Sequence, residues 1–206
     1  PDKQPFFADT YLPKTSRFGR IGLTDLIPQI SELWTRQRQK IHKSADQITL
    51  HLKTAASGRT GAEPDERIVN TAFQQLNSQF DKQNGGFGAA PKFPSAHHLM
   101  FLLRYCHRTG EKHALWMVEQ TLQQMRRGGL FDHVGYGFHR YSTDAQWLLP
   151  HFEKMLYDQA MMVMVNIEAY QATGKNEYAQ TARQVITYVL RDMTDTGGGF
   201  YSAEDA

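Results

Sequence analysis

Between Gly128 and Asp158 the sequence reads GGLFDHVGYGFHRYSTDAQWLLPHFEKMLYD, a mixture richer than a plain connection needs. Asp132, His139, Arg140, His151, Glu153, Lys154 and Asp158 are interleaved with Tyr141, Trp147 and Tyr157. Imidazoles and carboxylates are the groups that proteins tune toward neutral pH for proton transfer. Flat aromatic faces beside hydrogen-bonding groups suit a ligand with C–H faces and hydroxyl edges, and a sugar is the obvious candidate. On this reading His151 is the general base or acid, with Glu153 or Asp158 as its carboxylate partner and Asp132 as a further catalytic candidate. Arg140, Tyr141, Trp147, Tyr157, His139 and Lys154 form the expected substrate-binding set, with Trp147, Tyr141 and Tyr157 as the sugar platform.

The same residues have plainer roles to weigh. Glu153 follows Pro150 in what reads as a first helical turn, where a carboxylate complements the helix dipole. Lys154 and Asp158 are spaced as an i,i+4 salt bridge. Asp132 after Gly128-Gly129 suits a turn, and the whole loop can be a plug whose polar groups satisfy one another. Residues 138–142 and 146–149 read as two arms of a hairpin around Thr143-Asp144-Ala145. His133, His139 and His151 are spaced by 6 and 12 residues, which matches no metal signature, so no metal is expected. The run GGFGAAPKFP (85–94) lacks the preceding strand of a dinucleotide fingerprint, and no cofactor is expected.

The elements that must position this loop follow from periodicity. A helix begins at the N-cap Thr24 and carries Leu26, Ile30, Leu33 and Ile41, and a second pattern with Ile48 and Leu52 ends near Thr54. Residues 1–23 read as a short strand and loops. Beyond the small-residue stretch 55–64, helices are expected over about 65–80, 95–107, the region of Leu115 to Met125, 152–173, and the region of Tyr178 to Met193. Those at 95–107 and 152–173 are apolar nearly all round, whereas their neighbours carry one apolar stripe. Enclosed helices therefore alternate with outer ones. Thr109-Gly110 and Thr173-Gly174 correspond at a spacing of 64, and the stops at Gly128 and Gly198 at 70, a degenerate repeat. The pattern predicts an all-α chain forming part of an α/α-toroid, with every long loop on one face at the N-termini of the inner helices. A four-helix bundle fits less well, because five helices follow residue 64 and long loops occupy alternate connections.

Composition narrows the classes. The chain has 206 residues, 40% hydrophobic and 21% charged, enough to bury a core. Its formal net charge is +2, with no basic block, so a nucleic-acid partner is not expected. No apolar run reaches the ~18 residues of a membrane span. Cys106 is the single cysteine, read as a buried thiol, which excludes an internal disulfide or a CxxC redox pair. No secretory signal stands out, and a cytoplasmic location is the expectation, although a start at Pro1 is silent on targeting.

GGFGAAPKFP (85–94), the segment from Gly128 to Ala160 and GGGFYSAEDA (197–206) together resemble the thioredoxin-domain-containing proteins related to spermatogenesis-associated protein 20. PFFADTYLPKTSRFGRIGL (5–23) resembles the end of that family's thioredoxin-like domain. The resemblance covers nearly the whole chain. It implies residues 1–54 as a C-terminal remnant of a thioredoxin-like domain, 55–64 as a linker, and 65–206 as the N-terminal part of a toroid. That toroid is of the six-hairpin kind found in glycosidases and epimerases. Matching the family motif leaves Asp132, Arg140, Tyr141, Asp144, Trp147, His151, Glu153, Lys154, Tyr157 and Asp158 as its polar or aromatic members. The upstream cysteine motif is absent, so no redox role carries over. The expected function is a carbohydrate-active toroid, epimerase- or isomerase-like or glycosidase-like. The alternative is a non-catalytic module whose loop holds a protein partner or its own thioredoxin-like domain.

Overall fold

The computed structural model describes residues 3–58, 61, 63 and 65–205, and its contacts divide the chain into two compact units, Pro1–Glu63 and Pro64–Ala206. Of the stretch expected as a linker, residues 59, 60, 62 and 64 lie outside the described residues.

The first unit is a helical hairpin, α1 (Leu23–Arg36) and α2 (Arg38–Ala56). Leu26, Ile41 and Ala45 are its buried contacts. Two expectations need correction. Thr24 does not cap α1; Gly22 holds that position, and the Thr24 hydroxyl instead donates to the Lys14 carbonyl at 2.9 Å. The first helix also stops at Gln37, so Ile41 belongs to α2. Among the described residues before α1 there is no strand, only an isolated bridge between Arg17 and Arg20.

Among the described residues the second unit holds five helices: α3 (Glu66–Gln79), α4 (Ala96–Thr109), α5 (Lys112–Arg127), α6 (Leu156–Thr173) and α7 (Asn176–Asp192). Their ends follow local chemistry. Asp65 accepts from the Arg67 N–H at 2.9 Å and caps α3, as the Glu111 carboxylate caps α5 through the His113 N–H. Helices α4 and α6 both end on a left-handed glycine, Gly110 and Gly174, whose N–H returns to the Cys106 and Tyr170 carbonyls. Those glycines make the two short turns, so α4–α5 and α6–α7 are tight hairpins. Helices α4 and α6 pack on each other, α3 and α5 flank α4, and α7 lies along α6. This inner-and-outer alternation is the α/α-toroid arrangement. Leu99, Leu102, Met117, Val118, Met125, Met162, Val165 and Val185 form its core. Cys106 is only half-buried.

The loops between hairpins collect at the N-termini of α4 and α6. Here the sequence misleads: α6 begins at Leu156, not Phe152. Residues ahead of it form two short strands, β2 (Pro150–His151) and β3 (Lys154–Met155). The hairpin arms also differ from expectation. Strand β1 (Tyr141–Ser142) pairs with β2, Tyr141 opposite His151. Residues 146–149 instead wrap the Asp144 carboxylate, which accepts from the N–H groups of Gln146, Leu148 and Leu149 at 2.8, 3.1 and 2.7 Å. Strand β3 pairs with β4 (Ala203–Glu204).

One turn recurs three times on this face. In each copy an aspartate follows the residue that opens a bridge: Phe80 to Phe87, Phe131 to Phe138, Thr194 to Phe200. Asp81, Asp132 and Asp195 each donate their N–H to a glycine carbonyl across the turn, and their own carbonyls accept from Gly85, Tyr136 and Gly198. The last three residues all have positive φ, 70°, 69° and 89°. That shared geometry explains why Tyr136 occupies a region that favours glycine.

Candidate functional site

The structure sorts the predicted site residues into two groups. Asp132, His139, Trp147 and Lys154 belong to the scaffold, and each corrects an expected role. Lys154 does not pair with Asp158. Its ammonium is buried, 2.8 Å from Asp132 Oδ2 and 3.0 Å from the Tyr136 carbonyl, over the Tyr188 ring. Asp132 Oδ1 meanwhile accepts from Val134 and Gly135. Burial pushes its carboxyl up, but Lys154 and the two N–H groups outweigh burial and bring it to about 2. A carboxylate that holds two backbone N–H groups on one oxygen and a buried ammonium on the other is built as scaffold and is held in its charged form. His139 is buried with Nδ1 3.0 Å from the Phe152 carbonyl, and burial lowers its pKa.

Trp147 is not a sugar platform. It is 0% exposed, with Nε1 donating to the Asn84 carbonyl at 2.8 Å and the Lys92 ammonium 5.4 Å from its ring. Its positive φ of 66° turns the indole inward, against Gly86. Any Cβ at Gly86 would sit 2.5 Å from the ring, so glycine is required there. Lys92 repeats the Lys154 device: it is buried, with Nζ 2.5 Å from Asp81 Oδ2, 2.9 Å from the Gly85 carbonyl and 3.0 Å from the Ala145 carbonyl. Gln159 completes the scaffold by bonding both the N–H and the carbonyl of Phe138, which pins the loop to α6. Much of the loop is therefore a plug.

The second group stays open. Arg140, Tyr141, His151, Glu153, Tyr157 and Asp158 gather where β1, β2 and the start of α6 meet. Cross-strand pairing stacks the Tyr141 ring on His151 at 4.9 Å. Phe93, which the sequence reading passed over, extends this aromatic surface, 5.0 Å from Tyr141 and half exposed. Its only signal was an apolar residue between Lys92 and Pro94, ahead of a helix that needs none there. Arg140 is held to Glu153 twice, through its N–H to the Glu153 carbonyl at 2.8 Å and through its guanidinium to Oε2 at 2.7 Å. The same oxygen lies 3.6 Å from His151 Nδ1. Among the described residues, neither that nitrogen nor Arg140 Nε has a hydrogen-bond partner, although both are buried. Such unmet donors or acceptors are costly in a scaffold and useful in a site.

Asp158 stands in the first turn of α6. Burial pushes its carboxyl up and the nearby Arg140 charge only partly reverses this, so it comes to about 6. Tyr157, largely exposed, reaches Arg140, and Glu153 raises the Arg140 pKa above its ordinary value. The cluster thus offers an acid–base group near neutrality, an imidazole with a free nitrogen, a guanidinium and two stacked rings. It faces solvent. A groove of about 320 Å³ along α3 and α4, lined by Val69, His97, Phe101 and Tyr105, lies elsewhere. Among the described residues no helix is long and apolar enough to cross a membrane.

A family described as Thioredox_DsbH, a protein of unknown function (DUF255), matches residues 1–53. Human spermatogenesis-associated protein 20 is 40% identical over 100% of the chain, which spans 27% of that relative. Among solved structures, cellobiose 2-epimerase from Spirochaeta thermophila superposes with a TM-score of 0.58 at 21% identity, covering 68% of this chain and 40% of that one. An unsaturated glucuronyl hydrolase specific for heparin gives 0.55 at 12% identity, covering 67% and 42%. Identities this low carry the toroid fold and nothing further. Over its entire length the chain is a relative of the thioredoxin-domain-containing proteins that include spermatogenesis-associated protein 20.

Proposed function

We propose that the open cluster is the acid–base site of a carbohydrate-active toroid domain of the sugar epimerase or isomerase kind. One observation carries this reading: the Arg140–Glu153 ion pair is a hub approached by His151, Tyr157 and Asp158. His151 takes the proton from the carbon beside the carbonyl of an open-chain sugar, leaving an enediolate. Asp158, with a carboxyl near neutrality, returns a proton to the other face of that carbon or to its neighbour. The bonding changes balance without a redox partner. Arg140 faces the developing oxyanion, and Tyr141 with Phe93 receives the apolar face of the sugar. A glycosidase needs two free carboxylates across the scissile bond. Glu153 is engaged by Arg140, which leaves Asp158 alone in that role and makes hydrolysis the weaker reading.

The test is incubation with neutral aldoses and disaccharides in D₂O, followed by proton NMR. The expected result is loss of the C2 proton signal, abolished in His151→Ala and Asp158→Asn while both variants keep the parent's circular-dichroism spectrum and cooperative melting. New reducing ends without C2 exchange would replace the reading with hydrolysis. If neither appears, a binding role gains. A specific observation favours that second reading: Val134, Leu148, Leu149 and Phe152 are exposed apolar residues of the same loop, suited to hold a protein partner or the thioredoxin-like portion.

A further inference from the structure

The first two aspartate turns match closely, and the third, one residue shorter, lacks their lysine. In the first two, Oδ1 holds the turn: Asp81 Oδ1 accepts from Gln83 and Asn84, and Asp132 Oδ1 from Val134 and Gly135. Oδ2 holds a buried lysine, Lys92 or Lys154, whose ammonium also meets the carbonyl of the positive-φ residue, Gly85 or Tyr136. Each lysine lies in an extended segment just ahead of an inner helix, Lys92 before α4 and Lys154 before α6. Each segment also pairs with the loop that follows, Lys92 with Ser142 and Lys154 with Glu204.

In the third turn Asp195 Oδ1 accepts from Gly197, two residues on, the first of the two bonds its counterparts make, but among the described residues no lysine or arginine pairs with Oδ2. The Tyr201 hydroxyl bonds there instead, at 2.7 Å. Phe200, the counterpart of the buried Phe138, is 56% exposed. The groups that receive a lysine in the first two turns have counterparts in the third, the Asp195 carboxylate and the Gly198 carbonyl, on exposed residues and with only the Tyr201 hydroxyl on Oδ2.

We infer that the Asp195–Tyr201 turn is a docking site for an extended segment of an adjoining toroid hairpin, one whose lysine enters onto Asp195 Oδ2 and the Gly198 carbonyl. The segment resembles Pro91-Lys92-Phe93 and Glu153-Lys154-Met155, a lysine beside an apolar residue that covers Phe200. Tyr201 need not leave, because Asp81 Oδ2 already serves Lys92 and the Asn84 amide together. A charge-assisted pair at such a turn gives specificity that apolar cover alone does not.

The inference is tested by NMR titration of the ¹⁵N-labelled chain with a synthetic peptide copying residues 151–156, and with the same peptide carrying norleucine in place of lysine. The expected result is saturable shifts at the Gly197, Gly198 and Tyr201 amides with the lysine peptide only. Asp195→Asn, which keeps an oxygen for Gly197, weakens them by about tenfold or more. Equal response to both peptides, or none to either up to roughly 10 mM, overturns the inference. Shifts confined to residues around Asp132 do so as well, because the peptide is then displacing its own copy.

Discussion

Asp132 and Asp158 both start from the ordinary 3.8 and end at about 2 and about 6, and the difference lies in what each side chain touches. Asp132 is lowered, so its pairing stabilises the fold at neutral pH and is lost as pH falls from about 4 toward 2. Asp158 is raised, so the folded state favours its protonated form and loses stability as pH rises from about 4 through 6. Asp158→Asn is therefore expected to melt higher than the parent at pH 7.5, by a difference on the order of 1 kcal/mol after allowance for partial exposure. That gain should vanish at pH 4; melting curves at the two pH values check it, and a pH-independent difference would contradict the burial argument. No local pattern separates these two aspartates by role. Asp132 was legible as a turn residue after Gly128-Gly129, but the lysine that occupies it stands 22 positions away. Trp147 was misread because its ring type suits a platform, and nothing local shows the positive φ at which the indole is buried instead.

Helices were the most legible elements, since α3 to α7 announce themselves by period, caps and left-handed glycines. The strands were not. Residues 150–155 carry the marks of a helix start, a proline followed by an acidic residue, yet β3 is fixed by Ala203 and Glu204, partners that no local window contains. The recurring aspartate turn was readable in principle, since Phe-Asp opens two of the copies and a Gly-Phe pair closes all three. Its glycines also rank themselves. Gly86→Ala places a Cβ on the Trp147 ring at positive φ, and should cost about 2–4 kcal/mol. Gly88→Ala, also at positive φ but with nothing within 4 Å, should cost only ~1–2 kcal/mol. Chemical denaturation of the two variants side by side measures the difference, and similar midpoints would mean that the indole yields.

On the molecular scale, α6 is enclosed less fully than an all-round apolar helix requires. Met164, Ile167 and Tyr170 are exposed along it, with Phe200 and Tyr201 exposed beyond its N-terminal end. An uncovered apolar stripe of this kind drives association. The chain is expected to self-associate as its concentration rises, and Met164→Lys with Ile167→Lys should return it to a monomer; light scattering after gel filtration reads this directly. A parent that stays monomeric at high concentration would show the stripe to be tolerated by water.

The bridges that join successive loops have a consequence in time. Lys92 pairs with Ser142 and Lys154 with Glu204, in both cases 50 residues further along the chain. While the protein is being synthesised, each loop must wait for its brace, roughly 3–10 s at ribosomal speed. During that wait a lysine meant for burial is already seated in a loop that nothing has yet closed. A cut at the Gly110 or Gly174 turn would part the two strands of one brace but leave each aspartate turn on the same stretch as its own lysine, whereas a cut between Asp132 and Lys154 would divide a turn from its lysine. New termini should therefore be tolerated at the short turns and rejected in the long ones.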